Sequence, residues 1–421
     1  MRRWYQTLDY VTIFLWLTLV VCGLVAIYST THGPAAEFLP TSVRQNFYRQ
    51  SMWLGICSVG IVIALLLPVR FFQNTAYLFY AGSILLLIVA LVFGKEINGA
   101  KSWLSFGPMS LQVSELAKVG TILGVSQLVA SRRGTQSDLR FALTMIVMVL
   151  VPAALIVLQN DAGTALVFIG LIPVLLFWSG VPYLVLMLLM APAVAGYLSV
   201  VSMPWAIGFS VLFGLLLWWQ TRDRKMGLLG LAAAGGTVAA VSLALLKVLQ
   251  PHQVARIVSF TDPSAQEFRH GVGFHLVQSL AAIGSGGLTG KGFMQGTQTQ
   301  GRYVPEQSTD FVFSVIGEEF GFIGAGLVLV LFAFLLVRLI RLGGQMKHPF
   351  GMMVAAGAVG VYLIHIIINV GMATAVLPVI GIPLPFISYG GSALLAHTAI
   401  LAVAISLHMR RDDLSIYGFY T

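Results

Sequence analysis

Uninterrupted apolar stretches of roughly 17 to 25 residues recur along the whole chain, and no other feature of the sequence restricts its fold so severely. Coiled as a helix, such a stretch is about 30 Å long, the thickness of a bilayer's hydrocarbon core. Inside lipid every backbone N–H and C=O must be bonded within the protein, and a helix satisfies its own. Nor does a water-soluble domain of 421 residues carry 58% hydrophobic and 9% charged residues. The chain therefore reads as an all-α polytopic membrane protein, with about 10 to 12 transmembrane helices and one large extracytoplasmic loop.

Twelve spans are placed near residues 9–30, 48–67, 76–93, 114–131, 141–158, 163–179, 182–200, 205–220, 227–248, 311–338, 351–376 and 390–408. The first run exceeds the core of a signal peptide and no small-residue cleavage pattern follows it, so it is read as a span. Cys22 and Cys57 both fall inside spans, which suggests neither a disulfide framework nor a metal site. Cytoplasmic loops of helical membrane proteins are enriched in Lys and Arg. With the N-terminus inside, the cytoplasmic connections and termini hold 14 of the 24 basic residues, including the groups at Arg132, Arg133 and Arg140 and at Arg222, Arg224 and Lys225. Both termini are thus expected in the cytoplasm, and the net charge of +9 reflects this bias rather than nucleic-acid binding.

Residues 249–310 break the pattern of short connections and form a long external loop. Long loops in compact proteins are usually functional or disordered, and the apolar stretch HLVQSLAAIGSGGL predicts a short helix at the membrane surface instead of disorder. The glycine-rich GSGGLTGKGF at 284–293 is not a phosphate loop, which requires G-x-x-x-x-G-K-[ST]: Ser285 and Gly292 stand where Gly and a hydroxyl residue are needed.

Ionisable groups inside spans are expensive and therefore candidates for function. Glu115 and Lys118 in SELAK are three apart on one helical face, as an intrahelical ion pair or a site. Asp161 in LQNDAGTALVF stands where a carboxylate caps a helix. His365, Asn369 and His397 in the last two spans suit interhelical hydrogen bonds. In the loop, Asp262, Glu267, Glu306 and Asp310 mix with Arg256, Arg269, Lys291 and Arg302. That mixture fits solvated ion pairs, or a reaction at a diphosphate in which cations neutralise phosphate and a carboxylate takes a proton from a hydroxyl.

Four longer motifs are more specific: GAKSWLSFGPMSLQVSELAK at 99–118, NDAGTAL at 160–166, the stretch from HLVQSLAAIGSGGL through GRYVPEQSTDFVFSVIGEEFGFIG, and PLPFISYGGSALL at 383–395. In these the chain resembles the SEDS family, the shape, elongation, division and sporulation proteins, and the GTQTQ segment favours its RodA-type branch. The resemblance implies a peptidoglycan glycosyltransferase that polymerises lipid II into nascent glycan at the outer face of the bacterial cytoplasmic membrane. It also implies a class B penicillin-binding protein as partner. Family members usually have ten spans, so the resemblance marks 205–248 as an extra helix pair within a single domain, 1–421, a pair that leaves the sidedness downstream unchanged.

The family's essential loop Asp has no direct counterpart. This loop reads FTDPSAQEFRHGVGFH, longer by two residues, so the general base falls to Glu267 or to Asp262. Trp103, Glu115, Lys118, Asp161, Lys291, Arg302 and Glu306 match motif positions, with Val113 and Asn160 replacing prolines. Diphosphate is a good leaving group, so one base suffices and simple displacement inverts the sugar carbon. Lys118, Arg256, Lys291 and Arg302 are the candidates for phosphate stabilisation, with a divalent cation, Mg or Mn, as the cofactor considered. A lipid flippase and a non-catalytic scaffold for the penicillin-binding partner are the competing classes.

Overall fold

The computed structural model describes residues 7–34, 36–97, 99–106, 109–131, 139–248, 254, 260, 272–301 and 303–411. Asp262, Glu267, Arg256 and Arg302 lie outside these residues. Among the described residues, eleven helices are long and apolar enough to cross a membrane, and the 17-residue helix Ala162–Trp178 matches the remaining expected span. They fall at the twelve places read from the apolar runs.

The chain divides into two units. The first comprises residues 1–179, 278–373 and 380–421. It contains α1 (Tyr10–His32), α2 (Asn46–Leu66), α3 (Val69–Phe93), α4 (Val113–Ser131), α5 (Leu139–Leu158) and α6 (Ala162–Trp178). A second unit, residues 180–277 and 374–379, contains α7 (Tyr183–Val201), α8 (Met203–Thr221) and α9 (Arg224–Leu243). The loop helix α10 (Val272–Gly286) precedes α11 (Val312–Gln345), α12 (Pro349–Ala373) and α13 (Gly391–Met409), which complete the first unit.

Burial sorts these helices. The most apolar windows of α12 and α13 are 78% and 89% buried, against 22% for α2 and α3, so α12 and α13 are the inner helices of the first unit. Their sequences explain it: AAGAVG in α12 lets neighbours approach, and a side chain on Gly357 would overlap Ile122 of α4. In the second unit Ala191, Ala195, Ala206, Phe213, Leu217, Ala234 and Val238 form the core. Arg222 adopts a left-handed conformation (φ 56°) and Asp223 accepts a hydrogen bond from the Lys225 amide, which turns α8 back along α9.

Between α3 and α4 the sequence predicts only a loop, yet the chain forms a three-stranded antiparallel sheet: β1 (Lys95–Ile97), β2 (Ala100–Phe106) and β3 (Met109–Gln112). The sheet is tied down by the Lys101 amide, which donates to the Gln159 carbonyl (2.9 Å), and by Gln159 Nε2, which donates to the Leu87 carbonyl (2.7 Å).

The span expected at 311–338 is not one continuous helix. α11 breaks at Gly321, whose φ of 66° and ψ of −165° are open only to glycine. The break strands the carbonyls of Glu318 and Glu319 and the amides of Phe322 and Ile323, which would otherwise pair in the i to i−4 ladder. The glycine-rich loop fills the gap group for group. Lys291 and Gly292 amides donate to the Glu318 and Glu319 carbonyls, each at 3.0 Å. Phe322 and Ile323 amides donate to the Gly287 and Leu288 carbonyls at 2.9 and 3.1 Å. A Cβ on Gly321 would stand 2.3 Å from the Gly290 nitrogen, so the two backbones meet only because the residue is glycine.

Candidate active site

The first turn of α4 carries Glu115 and Lys118, both buried. Lys118 Nζ lies 2.7 Å from Glu115 Oε1 and 2.9 Å from Nε2 of His365 on α12. An ammonium only donates, so His365 Nε2 accepts and the ring proton stands on Nδ1, which donates to the Pro383 carbonyl at 2.9 Å. One turn on, Asn369 Nδ2 donates to the carbonyls of Ile382 (2.8 Å) and Asp310 (2.9 Å). His397 of α13 meets His365 edge to face at a centroid distance of 4.7 Å, and Tyr362 donates its hydroxyl proton to the His397 carbonyl. Glu115 Oε2 and both His397 ring nitrogens are buried with no hydrogen-bond partner, the carboxylate oxygen 3.9 Å from Nε2. The expected interhelical bond is seen for His365, which meets Lys118 of α4; Asn369 instead bonds two carbonyls outside the helices, and the His397 ring nitrogens make no hydrogen bond. Both His365 and Asn369 reach an extended, proline-rich segment that has no helix of its own to satisfy its carbonyls.

That segment, residues 380–390, is held on its other side too. Ser388 Oγ accepts from the Leu384 amide and donates to the Thr309 carbonyl, and the Tyr389 amide donates to the Ser308 carbonyl. Gln50 of α2 donates to the Ser388 carbonyl and accepts from the Gly390 amide. Residues 306–310 and 380–390 thus share one hydrogen-bonded framework.

Asp161 caps α6 as expected: its carboxylate accepts from the Thr164 amide (3.1 Å) and hydroxyl (2.9 Å). It also accepts from Gln112 Nε2 (3.2 Å), and the Gln112 amide donates to Ser392 Oγ of α13. Trp103 stands on β2, half-buried and paired in register with Gln112. The sheet therefore places Trp103 beside the strand that reaches Asp161.

Glu306 is exposed and left-handed (φ 44°); its carbonyl collects the amides of Thr309, Asp310 and Phe311, so its backbone organises the turn into α11. Among the described residues, Asp310 is the carboxyl outside the spans whose environment is most altered. Burial, and then the Glu306 charge, push its pKa up to about 7.

Lys291 is bonded within the glycine loop and to α11. Its ammonium, expected at phosphate, donates to Glu318 Oε1 (2.9 Å), Ser285 Oγ (2.7 Å) and Thr297 Oγ1 (2.6 Å), so all three protons are engaged inside the protein. Glu318 also accepts from the amides of Gln298 and Thr299, each at 2.8 Å. The carboxylate that captures Lys291 sits 27 residues later on another element, and nothing local in GSGGLTGKGF announces it. Among the described residues no three of His, Cys, Asp and Glu converge as a metal site.

Residues 9–223 and 206–413 match the model of the FtsW/RodA/SpoVE cell cycle proteins. The peptidoglycan glycosyltransferase RodA of Treponema pallidum (strain Nichols) is 29% identical over 96% of this chain and 98% of its own. The peptidoglycan glycosyltransferase MrdB of Escherichia coli (strain K12) is 31% identical over 86% of each. A chain solved in work on the structural coordination of polymerization and crosslinking by a peptidoglycan synthase complex superposes with a TM-score of 0.72 at 28% identity, covering 96% of this chain and 98% of that one. Matched in sequence over nearly its whole length and in fold across both units, the chain belongs to the FtsW/RodA/SpoVE family.

Proposed function

We propose that the chain is a RodA-type peptidoglycan glycosyltransferase that polymerises lipid II at the outer face of the cytoplasmic membrane during cell elongation. The observation that carries this reading is the match, at 98% of the relative's own length, to a protein named for that activity. The buried Glu115–Lys118 pair supports it, because charge in a membrane-embedded core marks chemistry more often than packing. Both termini are taken as cytoplasmic, and a class B penicillin-binding protein is the partner that crosslinks the product. α8 and α9 are the added helix pair.

In this mechanism a loop carboxylate, Glu267 or Asp262, removes the proton from the acceptor sugar hydroxyl as that oxygen attacks the sugar carbon bearing the diphosphate. The bond to diphosphate breaks, the polyprenyl diphosphate leaves with the electron pair, and the carbon inverts. Arg256 and Arg302 neutralise the leaving phosphates, while Lys118 and Glu115 hold the framework of the first unit. Trp103, Asp161 and Glu306 shape the substrate's surroundings. A divalent cation, Mg or Mn, would be held by the diphosphate together with loop carboxylates and would supply charge neutralisation to the leaving group.

The test is polymerisation of labelled lipid II by the chain purified with its partner. Glu267→Gln or Asp262→Asn is expected to lower the rate by about 100-fold or more, the scale of a lost general base. Near wild-type polymer from both variants would refute the assignment of the base. Wild-type protein that moves lipid II across vesicles without polymerising it would establish a flippase. A chain that binds the partner and does neither would be a scaffold.

A further inference from the structure

We infer that His365 is a positioning residue for the polymerisation reaction: it joins the buried Glu115–Lys118 pair of α4 to the Pro383 carbonyl through a single fixed tautomer. This rests on the polymerase reading. The argument begins with donor and acceptor counts. Lys118 is fully buried and its ammonium is met by Glu115 Oε1 at 2.7 Å and His365 Nε2 at 2.9 Å. Because the ammonium has no lone pair, the ring must accept at Nε2, and the neutral imidazole is left with one proton, at Nδ1. That proton points at the Pro383 carbonyl, 2.9 Å away. The imidazole thus reads a cation on one side and a backbone carbonyl on the other.

The carbonyl it reads matters because of where the chain goes next. Pro383 and the neighbouring Ile382 lie in the segment that Ser388 and Tyr389 bind to residues 308 and 309, immediately before Asp310 and α11. Asn369, four residues along the same face of α12, repeats the arrangement by bridging Ile382 and Asp310. His365 and Asn369 together index the 380–390 segment, and with it the loop exit, against the buried ion pair. Remove the imidazole and, among the described residues, Lys118 loses one of two partners, while the Pro383 carbonyl loses the ring N–H.

The test compares two side chains of nearly equal length. Glutamine offers both an acceptor and a donor, whereas methionine offers neither in useful strength. In His365→Met, kcat for lipid II polymerisation is expected to fall at least tenfold with KM within twofold, and hydrogen exchange of backbone amides at 380–388 to rise at least tenfold. His365→Gln is expected to stay within threefold of wild type in both. Equal exchange in the Met and Gln variants would overturn the inference, as would a folded Gln variant as impaired as Met. Exchange needs no turnover, so a wild-type chain that makes no polymer defeats the polymerase reading while the exchange arm still decides whether His365 positions this segment. Should the Met variant not fold, the Gln variant alone decides: wild-type exchange and turnover uphold the inference, and loss of either ends it.

Discussion

Two Lys–Glu pairs in this molecule, 2.7 and 2.9 Å long, have opposite characters. Lys118–Glu115 is buried and under-satisfied: Glu115 keeps one carboxylate oxygen without a partner, and His397 beside it keeps two ring nitrogens. Lys291–Glu318 is saturated, the carboxylate taking two amides, two hydroxyls and the ammonium, and the ammonium giving every proton it has. Sequence alone treats both lysines as phosphate candidates. The geometry separates them by what is left over once neighbours have bonded. Leftover capacity in a buried group calls for an explanation, such as strain, a bound water or ion, or chemistry, whereas a saturated cluster is accounted for by the fold itself.

The comparison makes graded predictions. Breaking the buried Lys118–Glu115 pair has the largest effect. Lys118→Met or Glu115→Gln alone strands a partner in the core and is expected to destabilise by about 3–5 kcal/mol. Joining the two substitutions should recover most of the thermal midpoint without recovering polymerisation, and full recovery of polymer would erase the distinction drawn above. Next comes Gly321→Ala, which forces a side chain into a left-handed position occupied by the glycine loop; about 2–3 kcal/mol of destabilisation follows from strain of this kind. A midpoint unchanged by that substitution would mean that the splint across α11 is not formed.

Asp310 gives a pH signature. Its native pKa, about 7, lies above the ordinary value of 3.8, so between those values the folded protein binds the extra proton. Stability therefore falls as pH rises from about 4 to about 7, by no more than about 1.4 kcal/mol per unit, and is level above that range. Asp310→Asn should remove the slope, which unfolding midpoints across pH would record. The smallest effect is expected for Lys291→Met, about 1 kcal/mol, because four donors still serve Glu318. Its KM for lipid II should remain within twofold. A large rise in KM would return Lys291 to the phosphate.

Which parts of this were legible in the sequence follows from the range of the forces involved. Twelve helices were readable because each span declares itself by its own length and apolarity, and the Asp161 cap because its partner Thr164 lies three residues away. The loop helix was readable from HLVQSLAAIG. The sheet between α3 and α4 was not, since its anchor, Gln159, stands far along the chain in the turn after α5. Nor was the break in α11: a glycine in an apolar run is unremarkable until the four backbone groups that replace the lost ladder are seen to come from residues 287–292. Likewise His365 read only as an interhelical residue, because its acceptor role is fixed by a lysine 247 residues earlier. Asp262, Glu267, Arg256 and Arg302 stand where the sequence left them, outside the described residues.

The break at Gly321 also bears on how the chain is made. Unbroken, the 34 residues of α11 would extend about 51 Å, far beyond a hydrocarbon core of about 30 Å. Divided, the 24 residues after the glycine are about 36 Å long and are free of carboxylates, while Glu318 and Glu319 remain in the part before it. For the insertion machinery, the lipid-soluble segment thus begins at Phe322, and the polypeptide that will splint it has already been synthesised. Gly321 marks a boundary during biosynthesis as well as a bend in the finished protein.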